Sequence, residues 1–232
     1  MVNSAVDADY DDHAEFYDGF FSWYLDGPES PGGDLGRLLG PAVGSGWVLD
    51  VGCGTGLSGK AAKASGWRVG GVDLSADQLR LAGPRLGWVV QADARVLPFA
   101  PSSVDNVMAM FVHTDVGDFA AVVAEVARVM RSGGRFAYLG VHPCFVGPHI
   151  DSPQAGDALS VTPGYLLTRW AAAEEFDRPR FGPGIRRRVG AWHVPLGALL
   201  TGVLEAGLVL EQIVETGDGS VPWRLGLAAS KP

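Results

Sequence analysis

The sequence predicts an α/β fold in which helices cover both faces of a parallel sheet. Apolar segments of strand length alternate with segments of helical periodicity from residue 47 to residue 141. The first apolar segment, 47–51, leads through the glycine-rich stretch 52–59 into a helical segment that ends near Gly66. Strands that alternate with helices are joined by right-handed crossovers, so neighbouring strands are expected to be parallel. Ligands of such sheets bind beyond the carboxyl ends of the strands.

Apolar runs, helical spacing and capping residues predict seven strands and five helices after residue 33. The predicted strands are 47–51, 68–73, 88–93, 104–111, 135–141, 208–215 and 223–229. The predicted helices are 34–39, 57–65, 76–82, 118–130 and 196–206. Asp34 and Ser75 are the expected N-caps of two helices, because a short polar side chain there accepts a backbone N–H.

Two segments lie outside this alternation. Residues 10–25 are rich in aromatic residues, and their spacing predicts a helix that either packs on the sheet or forms a lid. The apolar face of that helix consists of Phe16, Phe20 and Trp23. Residues 143–192 form an insert rich in Gly, Pro, Arg and aromatic residues, and inserts of that length are usually functional. We expect a substrate lid there, with a short helix near 165–175.

Length, composition and charge narrow the class of protein. A chain of 232 residues with 47% hydrophobic residues is the size of one domain. The net charge is −8, whereas nucleic-acid-binding domains usually carry a basic face. The only basic run, 186–188, either binds an anionic group of a substrate or lies on a solvated surface. We therefore expect a small-molecule partner, with a protein as the alternative, and no nucleic acid.

The cysteine content and the apolar runs indicate the cellular compartment of the protein. Cys53 and Cys144 are the only cysteines, which is typical of a reduced intracellular protein. The N-terminus lacks a basic start followed by an apolar run, and no apolar run reaches the roughly 18 residues that span a membrane. We expect a cytoplasmic protein that does not bind membranes, either a monomer or a homodimer.

The glycine-rich stretch is compatible with two kinds of nucleotide site. Residues 54–59 satisfy the dinucleotide fingerprint G-x-G-x-x-G, and Asp73 lies where that fingerprint places its ribose acid. However, Asp50 lies in the strand just before the glycines. A carboxylate at this point repels a pyrophosphate and attracts a cationic ligand. The stretch Asp50–Gly56 therefore favours a ligand that carries positive charge.

The stretch 50–56 resembles the first motif of the class I S-adenosylmethionine-dependent methyltransferases, whose cofactor carries a sulfonium and an ammonium group. Two more acids, Asp73 and Asp93, end the second and third predicted strands at spacings similar to those of the family. The resemblance covers roughly residues 45–142. It implies a Rossmann-like, doubly wound sheet of seven strands in which the last strand is antiparallel.

The same resemblance implies a set of cofactor-binding residues. Asp73 would accept hydrogen bonds from the ribose hydroxyls, and Asp93 would contact the adenine amino group. The full set is Asp50, Gly52, Gly54, Gly56, Asp73, Leu74, Asp93, Ala94, Phe111 and Tyr17. The cofactor that the resemblance implies is S-adenosylmethionine, and the product that it implies is S-adenosylhomocysteine.

Three histidines are the candidate catalytic residues. His113 follows the fourth predicted strand, and His142 and His149 follow the fifth, so all three are expected on the ligand side of the sheet. Histidine titrates near neutral pH and can act as the base that activates a nucleophile. Asp115 either orients His113 or caps a helix. The alternative is that each histidine only fills a polar gap in the core.

The candidate substrate-binding residues come from the two possible lids. They are Tyr10, His13, Cys144, Tyr165, Trp170 and His193. Aromatic rings suit an aromatic substrate, although packing within the lid is the alternative use. The spacing of His142, Cys144, His149 and His193 matches no zinc pattern, so no metal is predicted.

These observations predict one methyltransferase domain over residues 1–232. Its parts are a helical cap (1–40), a cofactor-binding core (45–142), a substrate-lid insert (143–192), and a C-terminal helix with edge strands (193–232). The predicted reaction is methyl transfer to an O, N or C nucleophile of a small molecule, such as a secondary metabolite. The alternatives are a protein that binds the cofactor without transferring methyl, such as a cyclase or regulatory module, and a protein methyltransferase.

Overall fold

The structure is a computed structural model of the 232-residue chain. It describes residues 9–22, 25, 27–151, 158–177, 184–217, 219 and 221–232. Trp23, which the sequence places on the apolar face of the N-terminal helix, lies outside the described residues. No helix in these ranges is both long and apolar enough to cross a membrane.

A seven-stranded sheet forms the centre of the fold. Eleven strands are described: β1 (Trp47–Val51), β2 (Arg68–Asp73), β3 (Trp88–Gln91), β4 (Val107–Met110), β5 (Arg135–Val141), β6 (Ile150–Asp151), β7 (Ser160–Val161), β8 (Arg169–Ala171), β9 (Ala191–His193), β10 (Val209–Thr216) and β11 (Arg224–Ser230). The main sheet has the order β10-β11-β5-β4-β1-β2-β3, and β11 is antiparallel to both of its neighbours. The predicted Rossmann-like sheet with an antiparallel last strand is confirmed.

Seven α-helices are described: α1 (Ala14–Phe21), α2 (Pro31–Leu39), α3 (Gly59–Ala64), α4 (Ala76–Ala82), α5 (Phe119–Val129), α6 (Arg186–Val189) and α7 (Leu196–Glu205). Five of them, α2, α3, α4, α5 and α7, cover the two faces of the sheet. One apolar core lies between the sheet and helices α5 and α7, and a second lies on the face covered by α2, α3 and α4. The predicted cap Ser75 is confirmed, because its hydroxyl accepts the N–H of Gln78 at 3.2 Å.

The structure corrects two predicted helices and one predicted cap. Helix α2 begins at Pro31 behind the cap Ser30, whose hydroxyl accepts the N–H of Gly33, so Asp34 lies inside the helix and is not its cap.

The predicted helix at 165–175 is wrong. Strand β8 occupies part of it and pairs with β9, and a short 3₁₀ turn, Ala173–Phe176, follows. Pairing with residues far along the chain overrides local preference there. The N-terminal helix is also shorter than the predicted 10–25 and spans only α1.

Asp34 instead forms a buried ion pair that ties α2 to the edge of the sheet. Its Oδ2 accepts hydrogen bonds from Arg224 Nε at 2.5 Å and from the Thr216 hydroxyl at 2.6 Å. The side chains of Asp34 and Arg224 are 1% and 5% exposed. A buried charge left without its partner is strongly destabilising, so this pair fixes α2 against the hairpin of β10 and β11.

We predict that Asp34→Ala lowers the free energy of unfolding by about 3 to 5 kcal/mol, because it leaves the Arg224 guanidinium buried without a counterion. Chemical denaturation measures the change. Glu211→Ala is the control, since it removes the half-exposed pair with Arg135 and should cost less than about 1 kcal/mol. Equal effects of the two substitutions would contradict a stabilising role for the buried pair.

Candidate functional site

A cavity of about 580 Å³ opens at the carboxyl ends of β1, β2, β3 and β4, and we call it the large cavity. Small-molecule sites usually have volumes of roughly 300 to 1,000 Å³. Its walls come from the loops after these strands, from α1 and the residues just before it, and from the start of α6. The N-terminal segment and the insert thus both contribute to the walls of the cavity.

The glycine turn after β1 forms the floor of the cavity. Gly52 has φ +69°, and a Cβ built on it would lie 2.5 Å from Val112 Cγ2. The Gly54 N–H donates to Asp73 Oδ2 at 2.7 Å, which fastens the turn to the end of β2. Gly56 does not line the cavity, and a Cβ there would lie 3.2 Å from Leu86. The glycines therefore allow close packing on one side and leave backbone open to a ligand on the other.

The pKa values of two carboxylates next to this turn, those of Asp50 and Asp73, are raised. Burial raises the pKa of Asp73 to about 6, although the Ser75 and Gly54 N–H groups stabilise its charge. Burial also raises the pKa of Asp50 to about 7, against the effect of a hydrogen bond from Ser58. Asp50 Oδ1 has no hydrogen-bond partner among the described residues. Asp73 lines the cavity, whereas Asp50 lies beneath the turn.

The far end of the cavity is formed by the residues that follow β2 and β3. Leu74, Asp93 and Ala94 all line it. Asp93 is bound by Arg95, whose Nη2 donates to Oδ2 at 2.7 Å and whose Nε donates to Oδ1 at 2.9 Å. These bonds lower the pKa of Asp93 below its ordinary value. Asp93 is thus ionised and partly exposed at this end.

Phe111 lies in an unusual backbone conformation at the end of β4. Its φ of +63° is uncommon for a residue with a side chain and is typical of functional sites. The N–H of Phe111 donates to the Leu139 carbonyl at 2.7 Å, which holds the loop after β4 against β5. Phe111 lines the cavity, as does Tyr17 of α1.

Four polar side chains at the same edge join three segments that are distant in the sequence. We call them the Asp115 cluster (Tyr10, Thr114, Asp115 and Arg186). The Tyr10 hydroxyl donates to Asp115 Oδ1 at 3.0 Å, and Arg186 Nη1 donates to the same oxygen. Arg186 Nη2 donates to the Thr114 hydroxyl at 2.6 Å. Burial opposes the charge of Arg186, yet the neighbouring Asp115 keeps its pKa above the ordinary value.

The sequence left two interpretations of the basic run 186–188, binding of an anionic substrate group and a solvated surface. The Arg186 side chain is 21% exposed and lines the cavity, so the solvated-surface interpretation is wrong for this residue, and binding of an anionic group stays a prediction. Arg187 does lie on the surface, where it pairs with Asp177. Arg188 lies over the Phe16 ring at 3.8 Å. The three successive arginines therefore have three different surroundings, and no local signal in the sequence distinguishes them.

The three candidate catalytic histidines lie outside the described lining of the large cavity. His113 is buried and its Nδ1 is hydrogen-bonded to the Tyr138 hydroxyl. Burial, with smaller contributions from Arg186 and His193, lowers the pKa of His113 to about 3. His142 Nε2 lies 2.7 Å from Glu215 Oε1. Their assignment as catalytic residues stays a prediction.

The insert gathers most of the candidate substrate residues in a separate cluster. The rings of His149 and His193 are 4.3 Å apart, and His193 Nε2 bonds to the Tyr165 carbonyl at 2.7 Å. Cys144 Sγ lies 3.3 Å from the Tyr165 hydroxyl. A small cavity of about 60 Å³ lies beside this cluster and is lined by His193 and Arg186 among others.

Of the predicted substrate residues, Tyr10 is the one among the described residues that lines the large cavity. Trp170 packs on Trp192, and His13 precedes α1 without making a side-chain cap bond. Across the described ranges, no three or more His, Cys, Asp or Glu side chains are grouped so that they could hold a metal ion. The substrate-binding roles of the remaining residues stay predictions.

Comparison with known proteins gives a consistent match. Residues 49–138 match the family model described as a methyltransferase domain. The chain is 33% identical over 133 residues to an O-methyltransferase of Aspergillus sclerotiorum, with 53% of this chain and 48% of that protein covered. It is 37% identical over 108 residues to a demethylmenaquinone methyltransferase of Thermobifida fusca, with 41% and 46% covered. The chain thus spans less than half the length of these curated relatives.

A solved structure resembles nearly the whole chain. An S-adenosylmethionine-dependent methyltransferase from Mesorhizobium loti superposes with a TM-score of 0.69 at 23% identity, covering 89% of this chain and 100% of the other. At that identity the likeness concerns the fold, and it includes the segments outside residues 49–138.

We predict that Ser58→Ala raises the pKa of Asp50 above its value of about 7, because the Ser58 hydroxyl stabilises the ionised carboxylate. Carbon-13 NMR of aspartate carboxyl groups measures the titration, with Asp50→Asn as the variant that assigns the signal. Asp93 is the internal control, since the bonds from Arg95 keep it ionised over the same range. An unchanged or lower pKa of Asp50 would contradict the contact.

Proposed function

We propose that the chain, of which residues 49–138 match a methyltransferase domain, is a class I S-adenosylmethionine-dependent methyltransferase. It would transfer a methyl group from S-adenosylmethionine to an O, N or C nucleophile of a small molecule. The observation that carries the proposal is the arrangement of the large cavity. The glycine turn and Asp73 form one part of its wall, and the Asp115 cluster forms another.

The residues present fit this cofactor. Gly52 and Gly54 offer backbone that a ligand can approach, and Asp73 offers a carboxylate for ribose hydroxyls. Asp50 is buried under the turn with one oxygen unpartnered among the described residues, and its charge favours a cationic ligand. Leu74, together with Asp93 and Ala94, would hold the adenine. Phe111 and Tyr17 would border the cofactor, and Gly56 would shape the turn.

Asp115 is the best-placed candidate for the base. When bound, S-adenosylmethionine supplies a methyl group activated by the sulfonium, which an acceptor takes as the S–C bond breaks. Asp115 would receive the proton of an acceptor hydroxyl or amine. Tyr10 and Arg186 fix the orientation of its carboxylate. Because the three candidate histidines lie outside the lining of the large cavity, they would act on the reaction only through other residues.

The walls of the cavity favour a small acceptor with an apolar body. Phe20, Val116, Ile185 and Trp223 line it beside the Asp115 cluster. Apolar walls exclude water and leave a few polar groups to fix orientation. We propose that the N-terminal cap (1–40) and the insert (143–192) are lids of a single domain. Closure on both sides disfavours a protein substrate, which would need an open groove.

We predict that the protein binds S-adenosylhomocysteine with micromolar affinity and does not bind NADH, as measured by titration calorimetry. Asp73→Ala should weaken this binding at least about 30-fold, because it removes the acceptor for ribose hydroxyls and the anchor of Gly54. Asp105→Ala is the matched control, since that carboxylate pairs with Arg131 away from the cavity. Failure of S-adenosylhomocysteine to bind would refute the proposed cofactor.

We predict that Asp115→Asn lowers kcat by about 10²- to 10⁴-fold, because the amide cannot accept the proton. Formation of S-adenosylhomocysteine from S-adenosylmethionine is measured over a panel of phenols, amines and acidic carbon compounds, and then with the best acceptor. Affinity for S-adenosylhomocysteine should stay within about threefold of the parent. Binding of cofactor without turnover on any acceptor would favour the alternative of a non-transferring module or a cyclase.

A further inference from the structure

Arg85 joins the N-terminal helix α1 to the glycine turn, although it lies outside the described lining of the large cavity. Its Nη1 and Nη2 donate to the two carboxylate oxygens of Asp18 in α1, and the second of these bonds is 2.9 Å long. Its Nη1 also donates to the Thr55 carbonyl at 3.0 Å. A single guanidinium therefore binds two segments that are distant in the sequence.

The contact between Asp18 and Arg85 is specific in its geometry. A planar guanidinium that meets both oxygens of a carboxylate fixes orientation as well as distance. The two side chains are 22% and 34% exposed, so water screens the pair only in part. The bonds from Arg85 lower the pKa of Asp18 below its ordinary value, and the pair is therefore charged at neutral pH. Helix α1 is thus held in one orientation relative to Thr55.

The helix that Arg85 holds provides part of the cavity wall. Tyr17 precedes Asp18 in α1 and lines the large cavity. Its Cε1 would lie 3.8 Å from a Cβ built on Gly54. Tyr17 thus lies over the residue before Thr55, whose carbonyl Arg85 binds. The ring and the guanidinium therefore contact the same turn at adjacent residues, and Asp18 connects them.

We propose that Arg85 is a positioning residue for cofactor binding, which holds α1 on the glycine turn so that Tyr17 borders the bound cofactor. This inference rests on the proposed function. Arg85 and Asp18 lie outside the described lining of the large cavity, so they act on the cofactor only through Tyr17 and the turn. The contact requires the helix and the turn to be in place, and a ligand that lies between them requires the same arrangement. The contact and the ligand therefore stabilise each other.

A second ion pair between α1 and α4 provides a matched comparison. Arg80 Nη2 donates to Glu15 Oε1, and these side chains are 53% and 68% exposed. The other described hydrogen bonds of Arg80 go to Asp77 in its own helix and do not reach the glycine turn. If ion pairs only attach α1 to the domain, both pairs should affect ligand binding. If Arg85 acts through the turn, only its own pair should do so.

The test is a double-mutant cycle of Asp18→Asn and Arg85→Met in the full-length chain, with the Kd of S-adenosylhomocysteine measured by titration calorimetry. Each single substitution should raise the Kd about tenfold, which lies within the usual range of coupling free energies. The double substitution should raise it less than about twofold further, because both changes remove the same contact. Glu15→Gln and Arg80→Met are the controls and should leave the Kd within about twofold of the parent.

Arg85→Lys separates the charge of this residue from its geometry. A lysine ammonium can pair with Asp18, but it lacks the planar fork that meets both carboxylate oxygens and the Thr55 carbonyl. The variant should therefore keep the thermal midpoint of the ligand-free parent, yet it should raise the Kd at least about threefold. It also keeps the test decisive if Arg85→Met does not fold.

Unchanged affinity in Asp18→Asn and Arg85→Met would overturn the inference. Effects that multiply in the double variant would do the same, because the two residues would then act independently. A loss of similar size in Glu15→Gln or Arg80→Met would show that attachment of α1 in general sets the affinity. If the parent itself does not bind S-adenosylhomocysteine, the proposed function fails and this inference fails with it. If the parent binds and both Arg85 variants bind equally well, the inference alone fails.

Discussion

The hydrogen bond from the Gly54 N–H to the Asp73 carboxylate fixes the geometry on which the site depends. It joins the turn after β1 to the end of β2, which are parallel neighbours in the sheet. Gly52 allows this turn because its positive φ and missing Cβ leave room for Val112. The loop after β4 is thereby packed under the floor of the cavity. The missing side chain of Gly52 therefore determines how closely the loops after β1 and β4 approach each other.

The site concentrates acidic groups in a buried environment. Burial raises the pKa of Asp50 to about 7 and that of Asp73 to about 6, so neither carboxylate is permanently charged near neutral pH. A cationic ligand that enters the cavity favours the ionised form of both groups. The chain as a whole carries a net charge of −8, which adds a long-range attraction for such a ligand. The two buried carboxylates and the net charge of the chain therefore both favour a cationic ligand.

The sequence predicted the fold and the cofactor side of the site more fully than the acceptor side. The glycine turn, Asp73 and Asp93 lie at strand ends in a local pattern, and a local pattern can be recognised in sequence. The Asp115 cluster joins residues 71 and 105 positions apart, and the burial of Arg186 follows from that distant pairing. Asp34 was expected to cap a helix and instead pairs with Arg224, which is 190 residues away. Gln78 could not be singled out, because only the packing around α4 shows that its amide is buried without a hydrogen-bond partner in the part of the chain that the structure describes.

The Asp115 cluster also joins two segments that border the large cavity. Tyr10 comes from the segment before α1 and Arg186 from the insert, yet both end on one carboxylate oxygen that belongs to the loop after β4. The N-terminal segment is also held elsewhere, since Asp18 pairs with Arg85. Neither bond to Asp115 belongs to the strand pairing of the sheet. Breaking both bonds would therefore leave every hydrogen bond of the sheet in place, so the contact between the two segments is independent of the pairing that holds the fold together.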